Sequence, residues 1–345
     1  MSTPATPRNL PGRNRRVILS SRPVGIPQAS HFTFDEASLE SLAEGQFRVR
    51  NIYLSVDPAQ RGWTNEGSNY SQPVPVGDVM RALAVGVIVE SRHAEFPEGL
   101  HLYGWFGWQD YAVVGPQAVV TRIDVIQAPL SAYAGVLGIN GLTAYLGLFK
   151  LGRPKAGDTI LVTTAAGAVG SLVGQLAQAR AFHVIGLAGD DAKFARCTSR
   201  FGYAAAANYK SADAASLLDR LVPDGIDVFF DNTGGDLLDQ ALRRMKTGGR
   251  IVQCGTAAVS QWSPTPTGLR AEREILTRRL IWSGLLVFDH SEDFPGALAD
   301  LTGRIRSGML HYEEDIVTGL LHAPGAIARL YDGRNNGKSL IYLGE

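Results

Sequence analysis

Cysteine is almost absent. The 345-residue chain has two, Cys197 and Cys254, too few for a disulfide framework or a four-cysteine zinc site. An excess of either charge is also missing. Lys and Arg total 33 against 33 Asp and Glu, so the basic field that dominates nucleic-acid affinity is not there. Charged residues make up 19% and are scattered, which leaves neither an acidic tail nor a polybasic membrane patch. No run approaches the roughly 20 apolar residues needed to cross a bilayer. The opening, MSTPATPRNLPGRNRR, is basic but lacks the apolar core of a secretory signal. No two of the seven histidines stand at ligand spacing such as H-x-x-x-H. These absences exclude nucleic-acid and membrane partners and predict a soluble, cytoplasmic, metal-free globular protein.

What is present is apolar residue, 45% of the chain, and 39 glycines. At about 100–200 residues per domain the length predicts two domains. From 15 to about 128, short β-rich runs (VRNIYLSVD, ALAVGVIVES, YAVV, AVVTRI) alternate with Pro, Gly and Asn, as in a compact β barrel or sandwich. Near Ser131 strand-like and helix-like segments begin to alternate, the pattern of βαβ units on a parallel sheet. The strands read DTILVTT, HVIGLA, a short run at 204–208, IDVFFD, RIVQCG and LIWSGLLVF, the last after a long Pro-rich loop. Six strands with crossover helices make a doubly wound sheet, closed by a helix over 294–307. The expected organisation is a β domain over 1–130, a dinucleotide-binding domain over 131–308, and a tail over 309–345 returning to the first domain.

Strand DTILVTT runs into Ala165, Ala166, Gly167, Ala168, Val169 and Gly170, then a helix of good formers. This is the G-x-G-x-x-G arrangement with Ala165 in the first glycine place. It supplies a tight turn, a bare backbone at Gly167 where a pyrophosphate approaches, and a small residue at Gly170 for helix–strand packing. The helix N-terminus adds free N–H groups and the positive end of its dipole.

The second strand decides which dinucleotide. It ends in small residues, Leu187-Ala188-Gly189, before Asp190-Asp191. Lys193 is placed to neutralise a 2′-phosphate and Tyr209 to donate a hydrogen bond to it, so NADPH is expected as cofactor. Asp190, twenty residues beyond Gly170, keeps NAD(H) open as the alternative, since an acid there holds the ribose hydroxyls. Locally, Asp190 and Asp191 also suit a helix N-terminus and Lys193 a solvated charge.

Taken in order, LSVDPAQRG (54–62), GWQDYAVV (107–114), GLTAYLGL (141–148), AAGAVGS, AGDDAK, DNTGG (231–235), Cys254-Gly255 and NNGK (335–338) resemble the zinc-independent medium-chain dehydrogenases/reductases. Within that family they are most similar to the NADPH-dependent double-bond reductase branch of prostaglandin/leukotriene reductases, plant alkenal reductases and bacterial curcumin reductase. The resemblance implies an α/β architecture: a GroES-like β domain plus a doubly wound Rossmann domain. It also implies an active site in the cleft between them, and a homodimer. It places Thr143 against the nicotinamide and the 165–170 loop at the pyrophosphate. Lys193 and Tyr209 fall at the 2′-phosphate, Asn232, Cys254 and Gly255 along the cofactor cleft, and Asn335 reaches in from the tail. Each also has a local reading, with Thr143 a helix residue and Asn232 and Asn335 turn formers. The zinc relatives' ligands are missing, and the corresponding strand reads Ala-Leu-Ala-Val-Gly-Val.

By resemblance, the reaction is hydride delivery to the β-carbon of an α,β-unsaturated ketone or aldehyde, with donors stabilising the enolate oxygen. Three positions depart from the branch. Its D-P-Y-M-R reads Asp57-Pro58-Ala59-Gln60-Arg61, a tyrosine after the C-G turn is replaced by Ser260, and Met-Pro before GLTAY is Ile139-Asn140. Asn140 thereby puts a polar amide near the nicotinamide. Tyr70 and Ser260 remain as candidates to meet the substrate oxygen, with Trp63 and Trp262 as replacement aromatic wall. A zinc-free carbonyl reductase or alcohol dehydrogenase and a catalytically inactive NADPH-binding protein are the competing readings.

Overall fold

A computed structural model describes residues 12–67, 70–211, 213–259, 262 and 264–344. The backbone divides into two compact units. One comprises 1–134, 316–334 and 339–345, and the other 135–315 and 335–338.

The first unit is built on an antiparallel sheet. Strand Phe47–Ser55 is flanked by Lys338–Tyr342 and Leu83–Ser91, and the order continues through His101–Trp105 to Val119–Ile123. A two-stranded ribbon, Arg13–Leu19 with Phe32–Ser38, packs on it, the Val17 amide donating to Trp108 O at 2.9 Å. Phe47, Leu54, Leu102, Phe106 and Trp108 close its core. Gly86 is required in strand Leu83–Ser91, because a Cβ there would come within 2.6 Å of the Arg50 carbonyl oxygen on the neighbouring strand. The LSVDPAQRG segment locks itself. The Ser55 hydroxyl bonds the Asp57 carboxylate, the Asp57 amide donates to Gln60 Oε1 at 3.0 Å, and Gln60 Nε2 donates to Arg81 O at 3.1 Å.

The second unit holds a six-stranded parallel sheet. In chain order its strands are Thr159–Thr163, His183–Ala188, Ala205–Asn208, Ile226–Asp231, Met245–Gln253 and Ile281–Gly284, and in space they run 3-2-1-4-5-6. This is the doubly wound order, in which direction reverses between the first and fourth strands. Strands buried on both faces need continuous apolar runs. Val228, Phe229 and Phe230 accordingly have no exposed surface. At the strands' opposite ends, buried Arg250 and Asp158 pair at 2.6 Å.

Three elements differ from the sequence-level expectation. The long Pro-rich loop contains a helix, Glu272–Arg278, supported by a Glu274–Arg278 pair one turn apart and closed by Arg279 at φ 52°. The LIWSGLLVF strand stops after four residues, at Gly284, which has no side chain to hold an edge. A further strand forms at Glu314–Thr318, in the tail where the sequence pointed to only one strand, 338–343.

Candidate functional site

The reversal of strand order opens a crevice at the carboxyl ends of strands Thr159–Thr163 and Ile226–Asp231, and most of the sequence-selected residues gather there. Asp231 holds the crevice together. Its carboxylate is fully buried and accepts from Thr163 Oγ1 (2.9 Å), the amides of Thr233 (2.8 Å) and Gly234 (3.0 Å), and Gln253 Nε2 (2.8 Å). Asn232 is tied to the first strand, its amide donating to Thr163 Oγ1 at 2.8 Å and its Nδ2 to Thr163 O at 2.7 Å. Cys254 and Gly255 both donate their amides to Asp231 O, at 2.8 and 3.1 Å. Burial and the Asp231 charge push the Cys254 thiol up to about 12, so it stays protonated and unreactive.

The glycine loop starts at Thr164, a β-branched residue held at φ 53°. That conformation costs about 1–2 kcal/mol. Its carbonyl accepts from the Gly167 amide at 2.9 Å, and the Ala165 amide is anchored on Leu187 O at 2.9 Å. Ala165 and Ala166 are buried, and Gly167, Ala168 and Val169 are half-buried. Gly170 has no room for a side chain, since a Cβ would stand 2.9 Å from Ala165 Cα. A Cβ on Gly167 would meet Thr164 Cγ2 at 2.8 Å and Thr164 O at 3.1 Å, so the tight turn itself calls for a bare backbone there. Helix Gly170–Gln178 then begins without a side-chain cap, its Ser171 and Leu172 amides turned back onto Gly167 O and Val169 O at 2.9 and 3.1 Å, and the positive end of its dipole faces the loop.

At the second strand end, Gly189 is overhung by Tyr209. A Cβ built on Gly189 would be 3.5 Å from Tyr209 Oη, and burial holds that phenol's pKa above its ordinary value. Lys193 lies in helix Asp191–Arg200, its Nζ 3.5 Å from the Asp190 carboxylate. Asp190 caps that helix, accepting from the Lys193 amide at 2.8 Å.

Asn140 and Thr143 sit on helix Ile139–Leu146. Asn140 is buried, its Oδ1 has no hydrogen-bond partner among the described residues, and it lines a cavity of about 10 Å³ beside Ala168, Ser171 and Lys338, room for one water. Asn335 closes its own turn, Nδ2 donating to Gly337 O at 2.8 Å, and Gly337 at φ 78° packs against Glu313. In the first unit, Tyr70 is 57% exposed and interacts electrostatically with Arg81 and Tyr331. Tyr331 stacks over Arg61, 4.6 Å from ring centroid to guanidinium, and its phenol donates to Pro58 O at 3.1 Å, against the segment where the expected tyrosine is replaced by Ala59. Trp63 is a core residue, 5.4 Å from Trp105, whereas Trp262 is exposed. Ser260 lies outside the described residues. Among the described residues one trio, His290, Glu292 and Asp293, has metal-like spacing, but Lys150 already ion-pairs with both carboxylates.

Two domain families match the chain. One, described as the N-terminal domain of oxidoreductase, covers residues 15–122, and the other, described as zinc-binding dehydrogenase, covers 168–303. The NADP(+)-dependent 2-alkenal reductase of Nicotiana tabacum is 37% identical over 96% of this chain and 97% of its own length. The chain belongs to the medium-chain dehydrogenase/reductase family, in its double-bond reductase branch. Another member, the NADPH-dependent curcumin reductase of Escherichia coli, is 34% identical over 95% of this chain and 96% of that one. CurA from Vibrio vulnificus, solved in complex with NADPH, superposes with a TM-score of 0.90 at 34% identity, over 96% of this chain and 99% of that one. Within this reductase fold the sequence had not pointed to Asp231, Gln253, Thr164 or Lys210. Asp231 opened the DNTGG segment but read as a strand end, Gln253 carried no motif of its own, and Lys210 stood beside Tyr209 without any spacing to set it apart.

Proposed function

We propose that this protein is an NADPH-dependent oxidoreductase that reduces the C=C bond of an α,β-unsaturated ketone or aldehyde without a metal. The observation that carries the reading is the crevice at the strand-order reversal. It is lined by an uncapped helix N-terminus and glycine backbone on one side and by a bare Gly189 under Tyr209 on the other. A diphosphate fits the first, and a phosphorylated ribose fits the second. The relatives named above carry NADP-dependence in their own names, and one was crystallised with NADPH.

NADPH, when bound, supplies hydride to the substrate β-carbon. The chain's part is to orient and to stabilise. Helix Ile139–Leu146 carries Thr143 and Asn140 for the nicotinamide end, and the 165–170 loop takes the pyrophosphate. Asn232, the Cys254-Gly255 turn and Asn335 form the remaining cofactor contacts. We assign Tyr70 and Ser260 as hydrogen-bond donors to the substrate oxygen, where negative charge grows as hydride arrives. An exposed phenol beside Arg81 suits that task, because a nearby cation favours charge on oxygen. The proposal includes a homodimer, and it is supported by the sheet edge, where strand Ile281–Gly284 presents Ile281 and Trp282 at 46% and 37% exposure. No described helix is long and apolar enough to cross a membrane. A cytoplasmic location agrees with the reduced state of both cysteines.

The test is to incubate the protein with NADPH and a simple enone and identify the product. Saturated ketone supports the reading, allylic alcohol makes the protein a carbonyl reductase, and tight NADPH binding without turnover makes it a binding protein.

A further inference from the structure

Four steps along the chain join an Asn or Asp to a following glycine, at 140–141, 224–225, 332–333 and 336–337. Each carries a latent reaction, because the glycine nitrogen can attack the side-chain carbonyl before it and no Cβ stands in the way. At three of them the structure holds that nitrogen. The Gly141 amide donates to Gly135 O at 3.3 Å within helix Ile139–Leu146, the Gly225 amide to Val222 O at 2.9 Å, and the Gly333 amide to Leu330 O at 3.2 Å. Among the described residues the Gly337 amide donates no hydrogen bond.

The surroundings of Asn336 favour the same step. Asn336 is exposed, and its Oδ1 accepts from Arg196 Nη2 at 3.1 Å. A guanidinium on that oxygen polarises the carbonyl and stabilises the oxyanion formed when nitrogen adds to it. Gly337 is buried against Glu313, and at φ 78° a Cβ there would lie 2.2 Å from Glu313 O, so no bulkier residue can stand at 337 to block the attack. The backbone is pinned on both sides of the step. The Asn336 amide donates to Asp315 Oδ2 at 3.2 Å, the Lys338 amide to Glu313 O at 2.8 Å, and Asn335 Nδ2 to Gly337 O at 2.8 Å.

We propose that Asn336-Gly337 is a site of spontaneous deamidation. The Gly337 nitrogen gives up its proton and bonds to Asn336 Cγ, the side-chain nitrogen leaves as ammonia, and a succinimide ring closes across the two residues. Water opens the ring at either carbonyl, leaving aspartate or, where the chain now runs through the β-carboxyl, isoaspartate. No oxidant or reductant is needed. Isoaspartate adds one backbone carbon between 336 and 337, and the bonds that pin 335, 336 and 338 cannot all survive that lengthening. Asn335, tied to Gly337 O, moves with it, so ageing at this step lowers NADPH affinity. That consequence rests on the cofactor role proposed for Asn335, whereas the deamidation itself does not.

The test holds the purified full-length protein at mildly alkaline pH and physiological temperature. Over time it follows peptide masses, labelling by an isoaspartyl methyltransferase, and NADPH affinity from the fluorescence of the reduced nicotinamide. The peptide containing 336 should gain the mass of an amide-to-acid conversion and become a methyl acceptor, while the peptide containing Asn140 stays unchanged. Asn336→Ser should abolish both signals and keep its NADPH affinity throughout. Arg196→Leu should slow conversion about threefold or more, and Arg196→Lys should recover part of that rate. No conversion at 336, or conversion as fast at Asn140, overturns the proposal. An Arg196→Leu rate equal to the parent's overturns the part given to the guanidinium. Conversion at 336 with unchanged NADPH affinity supports the deamidation and refutes the placing of Asn335 at the cofactor.

Discussion

Replacing Asp231 by Asn keeps the volume and removes an acceptor. The carboxylate receives five donor contacts, from Thr163 Oγ1, the Thr233 amide, the Gly234 amide on both oxygens, and Gln253 Nε2. The new NH₂ group must take one of the two oxygen positions. In the Oδ2 place it confronts Gly234 N–H and Gln253 Nε2. The latter cannot simply turn over, because it also donates to Gly255 O at 2.7 Å while its Oε1 accepts from Trp282 Nε1 at 3.2 Å. In the Oδ1 place the NH₂ confronts the amides of Thr233 and Gly234. Either way one charge-assisted bond is lost and at least one buried donor is left bare, for a cost of about 3 kcal/mol. For a unit of this size, at roughly 2–4 °C per kcal/mol, the melting midpoint should fall by about 6–12 °C. NADPH affinity should fall with it, because Thr163 before the glycine loop, the Thr233 and Gly234 amides and Gln253 before the Cys254-Gly255 turn all bond this carboxylate. A thermal melt by circular dichroism, with and without NADPH, measures both. A midpoint within about 2 °C of the parent, with unchanged affinity, would refute the claim that Asp231 organises the crevice.

Two further perturbations separate binding from folding. Gly167→Val should lower the melting midpoint, since its Cβ meets the Thr164 methyl at 2.8 Å and the Thr164 carbonyl oxygen at 3.1 Å, and the protein that still folds should lose NADPH and NADH alike; retained affinity in a coenzyme titration would place the pyrophosphate elsewhere. The buried Cys197 thiol is pushed up to about 12 by desolvation, so its contribution to stability is complete below the unfolded value near pH 9 and is lost as pH rises from there. Urea midpoints at pH 8, 9 and 10 should therefore fall more steeply in the parent than in Cys197→Ala, by up to about 1.4 kcal/mol per pH unit; parallel slopes would contradict the assignment.

What could be read from the sequence is what one segment settles by itself. Buried strands showed as unbroken apolar runs, and His183–Ala188 and Ile226–Asp231 keep the bounds their residues predicted. The glycine loop was legible because tight backbone leaves few residue types to choose from, and Gly170 has space for nothing more. Residues whose role depends on a partner far along the chain were not legible. Asp231 read as the last letter of a strand, and only the parallel register beside Thr163 and Gln253 turns it into the anchor of three loops. Lys193 and Lys210 show the limit most clearly. On sequence, Lys193 sits at the family's position and Lys210 is one more surface lysine. The register of two strands adds what the sequence leaves out, because it sets Lys210 over Gly189 and leaves Lys193 facing an acid three residues away. A motif records which residue types recur at a site, whereas the charge a ligand meets depends on which of them is still unpaired. The charges around Gly189 therefore come from three segments, 189–193, 205–208 and 209–210, and no one of them predicts the arrangement alone.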